Sequence, residues 1–269
     1  MIRSLTILGS GTILPAKGHG CAGYLLQTDD GPALIDCGPG TLYRLTELDA
    51  SVTGVNPILI THFHQDHVSD LGPLLVSRWL ATLEGGERSI SLVGPSELRK
   101  HVAWLKKRVS EIADLRLDIR EAAPGRALVL GRTPTGAVTA RPQGPGPFLK
   151  VEACRTGHTE GSVCYRITDE RGTSLFYSGD TDYNEELIPL MRGADCALLE
   201  CSMPDERKVN GHLTPRLAGK LAHMAGVKRL VLTHFYREVI GQPIIERVRT
   251  EYAGPVELAE DLKSYPLEA

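Results

Sequence analysis

The chain has 269 residues, is 42% hydrophobic and carries a net charge of −3, so it can bury the core of one large domain over residues 1–269. The slightly acidic balance excludes a protein that binds nucleic acid mainly through a general excess of Lys and Arg. No apolar run reaches the roughly 18 residues of a membrane span, and the N-terminus lacks the ordered regions of a signal peptide. With six cysteines and no C-x-x-C pair, we expect a cytoplasmic protein with free thiols and no membrane contact.

The N-terminal part of the chain predicts a β meander. Gly, Asp and Pro punctuation separates short apolar segments that are typical of strands, at residues 5–8, 22–27 and 32–36. Asp29-Asp30-Gly31 is a hairpin turn signal between the last two of these segments. Leucines spaced three apart then predict a short helix over residues 40–48.

A dense run of metal-capable side chains follows. The apolar segment at residues 57–61 predicts a buried strand, and an H-x-H-x-D-H sequence comes directly after it, with ligand candidates His62, His64, Asp66 and His67. Packing gives no reason to gather three histidines and an aspartate at a strand end, whereas metal binding does. The run therefore predicts a metal site where this strand ends.

Two helices and a loop are predicted next. Apolar spacing indicates helices over residues 71–83 and 96–112. The second helix has a basic face, typical of a solvated surface, with a phosphate-binding patch as the alternative; its members are Arg99, Lys100, Lys106, Lys107 and Arg108. His101 on the same helix is expected to be a surface or packing residue. Residues 131–148 are rich in Gly and Pro and predict a surface loop.

The second half of the chain predicts further strands and helices. The strand segments are residues 149–154, 163–167, 174–177, 197–200 and 229–232, and the helical segments are residues 185–191, 215–225 and 243–252. Three metal-capable residues each follow a strand-like segment: His158, Asp180 and His234. His212 is the remaining candidate. Apolar strands followed by helices favour sheets that are covered by helices.

These motifs resemble those of the metallo-β-lactamase superfamily. H-x-H-x-D-H followed in order by His158, Asp180 and His234 is a highly specific signature of that family. Within it, the chain is most similar to the branch of ribonuclease Z and related phosphodiesterases, through Gly9-Ser10-Gly11-Thr12, Asp36-Cys37-Gly38-Pro39-Gly40, Gly211-His212-Leu213-Thr214 and Thr233-His234-Phe235. The resemblance implies an α/β (α+β) fold, the αββα sandwich, with two mixed sheets packed face to face, helices outside and the metal site along one edge.

The resemblance also implies a dinuclear metal centre. One ion would be held by His62, His64 and His158, the other by Asp66, His67 and His234, and Asp180 would bridge the two. Imidazole and carboxylate ligands suit Zn²⁺, and the same donors allow Mn²⁺ or Fe²⁺. A bound metal lowers the pKa of its water to about 7, so the implied reaction is attack by a metal-bound hydroxide.

Three residues are predicted to be catalytic: Asp66, His212 and Glu200. Asp66 neutralises charge that imidazoles cannot neutralise. By resemblance, His212 donates a proton to a leaving alkoxide or holds a phosphoryl oxygen; the alternative is that it caps the helix from Thr214 or only bonds a carboxylate. Glu200 matches an acidic position that orients this histidine in the branch, although Cys201-Ser202 replaces the branch's Ala-Thr after it.

The expected function is hydrolysis of small or cyclic phosphodiesters or of nucleic-acid ends. Ribonuclease Z carries a tRNA-gripping arm between the third and fourth motifs, whereas the short segment between His158 and Asp180 predicts only a strand pair. The chain is therefore expected to lack that arm. A lactonase, thioesterase or β-lactamase on the same metals is the alternative, and an inactive binding or regulatory protein is a third, against which the complete ligand set argues. The resemblance also implies a possible homodimer.

Overall fold

Short apolar segments of the chain form strands, and leucine-rich amphipathic segments form helices. The computed structural model describes residues 1–86, 88–132, 138–139 and 148–267. In chain order the strands are β1 (Ile2–Gly9), β2 (Gly23–Thr28), β3 (Ala33–Cys37), β4 (Ile58–Leu59), β5 (Ser89–Gly94), β6 (Arg116–Glu121), β7 (Leu128–Arg132), β8 (Val138–Thr139), β9 (Phe148–Arg155), β10 (Val163–Asp169), β11 (Ser174–Tyr177), β12 (Cys196–Glu200), β13 (Leu230–Thr233), β14 (Val256–Leu258) and β15 (Ser264–Pro266). The helices are α1 (Thr41–Glu47), α2 (Gln65–Val68), α3 (Leu71–Leu83), α4 (Leu98–Arg108), α5 (Ile188–Met191), α6 (Pro215–Ala225) and α7 (Ile244–Arg249), with 3₁₀ turns at Ser110–Asp114, Glu185–Leu187 and Asp205–Arg207.

The strands form two mixed sheets. Within the described residues, one sheet has the order β15-β1-β2-β3-β4-β5-β6 and the other the order β14-β13-β12-β11-β10-β9-β7-β8. Strands β3 to β6 are parallel in the first sheet, and β11 to β14 are parallel in the second. Because the carboxyl ends of parallel strands meet at one edge of a sheet, the loops that follow these strands can build a common site.

Alternation of side chains across each strand divides the core into layers. In the first sheet, Tyr24 and Ile35 point into the cluster shared with the second sheet, whereas Leu25 and Leu34 pack with the helices outside. Those outer helices are α1, α3 and α4, and the second sheet is covered by α5, α6 and α7. This is the predicted αββα sandwich of two mixed sheets with helices outside, and the fold prediction is confirmed.

Buried tyrosines tie the two sheets together with hydrogen bonds. The hydroxyl of Tyr165 donates to the carbonyl oxygen of Ile60 at 2.7 Å. The hydroxyl of Tyr24 lies 3.0 Å from that of Thr233 on the opposite sheet. A buried hydroxyl without a partner is costly, so these bonds fix the relative positions of the sheets next to the site edge.

The structure corrects several predictions from the sequence. Strands β5 and β6 were not predicted. Residues 131–132, 138–139 and 148 of the predicted loop lie in strands, because β7 pairs with β8 and β9 and the backbone bonds outweigh the Gly and Pro composition; the rest of that loop lies outside the described residues. The helix predicted over residues 96–112 is shorter as α4 and continues into a 3₁₀ turn. Among the described residues, no helix has the length and apolarity needed to cross a membrane.

Candidate metal centre

The H-x-H-x-D-H run turns from strand to helix as it leaves the first sheet. His62 lies just beyond β4, His64 directly precedes α2, and Asp66 and His67 lie within that short helix. His62, Asp66 and His67 are buried, whereas the ring of His64 is exposed. The change from extended to helical backbone explains how closely spaced residues can face one point.

Two glycines allow the site loops to pack against this run. A Cβ on Gly38 would lie 1.9 Å from the carbonyl oxygen of Asp66, and a Cβ on Gly179 would lie 2.9 Å from the Cβ atom of Thr61. Gly179 also has a positive φ of 55°, which L side chains rarely adopt. The glycines before α1 and before Asp180 are therefore needed for the close approach of backbone segments.

Asp180 lies between two groups of candidate ligands. Its Oδ2 is 3.7 Å from Nε2 of His62 and 3.6 Å from Nε2 of His158. Its Oδ1 is 3.3 Å from Nε2 of His67 and 3.3 Å from Nε2 of His234. Each carboxylate oxygen thus faces one group, and one carboxylate joins both.

The structure brings all seven residues of the predicted ligand set together. Ligand atoms of one group, His62, His64, His158 and Asp180, lie within 4.8 Å of one another. Ligand atoms of a second group, Asp66, His67 and His234, do so as well. A third group of Asp180, His212 and His234 meets the same distance, so the geometry alone also admits His212 as a ligand.

A buried carboxylate, Asp36, fixes two of the histidines on the first sheet. Asp36 Oδ2 lies 2.7 Å from Nδ1 of His67, and Asp36 also accepts hydrogen bonds from the backbone N–H and the hydroxyl of Thr61 and from the hydroxyl of Tyr177. Since a carboxylate only accepts, Nδ1 of His67 is the donor. The Thr61 hydroxyl gives its proton to Asp36, so its oxygen accepts from Nδ1 of His62 at 3.0 Å. In both rings the lone pair is left on Nε2, which faces Asp180.

Acceptors on the second sheet fix two more rings in the same way. Nδ1 of His158 donates to the carbonyl oxygen of Gly211 at 2.9 Å. The hydroxyl of Ser202 donates to Glu200 and therefore accepts from Nδ1 of His234 at 3.0 Å. His158 and His234 thus also turn the lone pair of Nε2 toward the cluster, the arrangement that metal-binding histidines require.

Burial and charge set the protonation of the cluster. Burial and the neighbouring His67 lower the pKa of His62 well below its usual value, which keeps this imidazole neutral. Burial opposes ionisation of Asp180, but His234 and His67 hold its pKa well below the usual range. Burial also lowers the pKa of His67, but Asp180 and Asp36 raise it more, so a proton competes with a cation for Nε2.

The donor set fits divalent cations. Nε2 of His62 and Oδ1 of Asp180 are buried and have no hydrogen-bonding partner within the described parts of the chain. The Nε2 atoms of His67 and His234 lie 3.3 Å apart. Buried lone pairs and carboxylate oxygens without donors are costly, and a cation coordinated by them removes that cost. The mixture of imidazole and carboxylate suits Zn²⁺, Mn²⁺ or Fe²⁺.

Glu200 and His212 form a second pair beside the cluster. Nδ1 of His212 lies 3.1 Å from Oε1 of Glu200. The Glu200 carboxylate is fully buried and accepts hydrogen bonds from the backbone N–H groups of Thr181 and Leu213. The ring of His212 lies 4.8 Å from that of His158 and stacks on His234 at 5.8 Å. Burial lowers the pKa of His212, but Glu200 raises it above its usual value. The structure thus brings Glu200 and His212 together despite the altered sequence after Glu200.

Several residues that hold the site were not assigned a role from the sequence. Asp36 was predicted only as the end of a strand and as part of a family motif, Thr61 and Tyr177 only as strand residues, and Ser202 only as a departure from the branch's pattern after Glu200. Asp36 and His234 both have positive φ, 55° and 60°, which is uncommon for residues other than glycine and clusters at functional sites. A polar residue directly after an apolar strand segment is the signal that Asp36 shares with the predicted ligands.

Comparisons with known proteins agree with this geometry. The family model described as a beta-lactamase superfamily domain matches residues 33–235. An uncharacterized protein of Mycobacterium leprae is 30% identical over 278 residues, covering 98% of this chain and 89% of the relative. A ribonuclease Z of Mycobacterium avium is 28% identical and covers 98% of each chain.

A solved structure shares the fold over nearly the whole length. The metallo-beta-lactamase fold protein YhfI of Bacillus subtilis superposes with a TM-score of 0.82 and 23% identity, covering 99% of this chain and 100% of that one. The resemblance predicted from the motifs is thus confirmed. The chain belongs to the beta-lactamase superfamily, and it is a metallo-hydrolase of that family.

Proposed function

We propose that this protein is a dinuclear metal-dependent phosphodiesterase, acting on small or cyclic phosphodiesters or on nucleic-acid ends. The observation that carries the proposal is the His212–Glu200 pair, which stands against the two ligand groups joined by Asp180. A phosphodiester with an alkoxide leaving group needs a proton donor next to the metals, and this pair meets that need.

The ligand groups would hold two ions, one at His62, His64 and His158 and one at Asp66, His67 and His234, with Asp180 shared. Two bound divalent ions supply an activated water and stabilise the negative charge that develops on the phosphoryl oxygens. The chain orients the ligands of these ions through Asp36 and Ser202, which fix the rings of His67 and His234.

His212 would act on the leaving group. Its Nδ1 is held by Glu200, so Nε2 is the nitrogen free to carry a proton to the departing oxygen. The carboxylate of Glu200 stabilises the protonated ring. Glu200 is itself held by the backbone N–H groups of Thr181 and Leu213, so the donor has a fixed position relative to the metals.

The relatives support a phosphodiester substrate. A ribonuclease Z is among the relatives that match over nearly their full length. Between His158 and Asp180 this chain has only the hairpin of β10 and β11, whose turn spans residues 170–173. A substrate that needs no gripping arm, such as a small diester or an unstructured end, suits this architecture.

The test compares substrate classes on the metal-loaded protein. We expect kcat/KM for methyl 4-nitrophenyl phosphate to exceed the values for a lactone and a chromogenic β-lactam, with all activities lost after chelation and regained with Zn²⁺ or Mn²⁺. Preference for either carboxyl substrate would overturn the phosphodiesterase and favour a lactonase or β-lactamase. No hydrolysis of any substrate by protein with two metal equivalents would favour a binding protein.

A further inference from the structure

A groove runs from the metal centre along helix α4. It is lined by Phe63, which stands between the candidate ligands His62 and His64 in the sequence, by α2 and the start of α3, and by α4. The groove encloses about 560 Å³. A second depression of about 410 Å³, which contains His62 and His64, shares Phe63 and Glu97 with it. A molecule bound at the metals can therefore extend into the groove.

One wall of the groove is a column of planar groups. The ring of Phe63 stacks on that of His101, with centroids 4.9 Å apart and planes at 15°. His101 is followed by Trp104 at 6.2 Å and 28°, and the guanidinium of Arg108 lies 4.2 Å from the Trp104 ring centroid. Trp104 remains 50% exposed despite these neighbours, so part of its side chain is accessible to a ligand.

The charge beside the groove suits a phosphate-bearing ligand. Helix α4 carries basic residues and no acid, although the whole chain has a net charge of −3; its basic residues are Arg99, Lys100, Lys106, Lys107 and Arg108. Lys100 lines the groove together with Glu97, and its Nζ lies 2.7 Å from Oε1 of Glu97. Aromatic rings interleaved with Lys and Arg form the combination that binds nucleobases together with their phosphates.

We infer that this groove is a subsite for the nucleobase of a nucleotide phosphodiester, whose base contacts the exposed part of the Trp104 ring while its phosphate lies at the metal centre. The inference rests on the proposed function and narrows its substrate class. A nucleotide diester would then be preferred over a diester without a base, because the base adds stacking that the scissile group does not supply.

The kinetic test uses two diesters with the same leaving group, thymidine 5′-(4-nitrophenyl) phosphate and methyl 4-nitrophenyl phosphate. We expect a higher kcat/KM for the thymidine ester, and Trp104→Ala should lower this preference about fivefold to a hundredfold. Trp104→Phe keeps a ring and should keep most of the preference. Trp79→Phe is the matched control, since Trp79 on α3 lies outside the groove and its indole bonds Asp114.

The outcomes separate the subsite from the reaction. Hydrolysis of both esters without a preference for thymidine, or an unchanged preference in Trp104→Ala, would overturn the subsite and leave the phosphodiesterase standing. Failure to hydrolyse either ester would count against the phosphodiesterase activity. The nucleobase subsite would then be tested by the binding of a nucleotide.

Binding is measured by fluorescence, which does not depend on turnover. The chain has two tryptophans, so Trp79→Phe leaves Trp104 as the only one. Thymidine 5′-monophosphate should quench its emission saturably, whereas methyl phosphate should not. Equal quenching by the two, or none by the nucleotide, would overturn the inference.

Discussion

The two halves of the sandwich contribute to the site in different ways. The first sheet supplies a compact run, in which His62, Asp66 and His67 lie within six consecutive residues. The second sheet supplies isolated residues from separate strand ends, such as His158, Asp180 and His234. Each half nevertheless has one buried carboxylate behind its site residues. Asp36 holds His67, and Glu200 holds His212.

The two carboxylates differ in what they orient. Among the described residues, Asp36 accepts from the predicted ligand His67, from Thr61, which holds His62, and from Tyr177 of the second sheet. Glu200 accepts from His212, which is predicted to be a proton donor, and from Ser202. Both halves therefore supply candidate metal ligands, the second half also adds the predicted acid, and Asp180 joins the two ligand groups. The following variants test this division.

The largest effect is expected for Asp180→Ala. Loss of the carboxylate that faces both ligand groups should remove bound metal and lower kcat/KM by more than about a thousandfold, beyond the 10- to 100-fold cost of losing an outer partner. Metal content by mass spectrometry and phosphodiester hydrolysis give the two readouts. Two retained metal equivalents would contradict the shared position of Asp180.

Asp36→Asn should weaken metal binding about 10- to 100-fold. Every group around Asp36 donates a hydrogen bond, so an amide NH₂ would oppose a donor and release the ring of His67. Competition with a chelator measures the affinity. Asp169→Asn is the control, because Asp169 is also buried but accepts the backbone N–H groups of Ile2, Arg171 and Thr173, away from the candidate ligands.

Glu200→Gln should lower activity about 10- to 100-fold at saturating metal, and it should leave the metal stoichiometry unchanged. The NH₂ group of the amide would face a donor, either the backbone N–H of Leu213 or Nδ1 of His212. The ring of His212 would then no longer be held in a fixed orientation. If this variant lost metal as strongly as Asp36→Asn, the main role of Glu200 would be to orient the ligand His234 through Ser202. That result would contradict the assignment of Glu200 to the acid.

The smallest effect is expected for Tyr177→Phe. It removes one of several donors to Asp36 and should lower the free energy of unfolding by about 1–2 kcal/mol, with metal binding nearly unchanged. Urea unfolding of the metal-free protein measures the change. Tyr24→Phe, which removes a bond to the neutral hydroxyl of Thr233, is the matched comparison and should cost less.

The sequence predicted the compact half of the site more directly than the scattered half. The run from His62 to His67 is recognisable because its ligands are adjacent in sequence. His158, Asp180 and His234 needed the family signature, since their loops meet at one edge only because β9, β11 and β13 run in the same direction in the folded sheet. Asp36 and Ser202 were missed because their roles arise from hydrogen bonds across the sheets. Strand β6 was missed because a charged edge strand, as in Arg116–Glu121, lacks the apolar run that marks a buried one. Strand β5 is buried and apolar, but it is short and was missed next to the predicted helix that follows it.

The most direct test of the account is the leaving-group dependence of His212→Ala with both metals bound. A proton donor matters for a poor leaving group and little for 4-nitrophenolate, which leaves without help. We expect kcat/KM of the variant to fall about 10²- to 10⁴-fold for a diester that releases an alkoxide and far less for methyl 4-nitrophenyl phosphate. Equal losses on the two substrates, or loss of metal from the variant, would contradict the assignment of His212 as the acid of a phosphodiesterase.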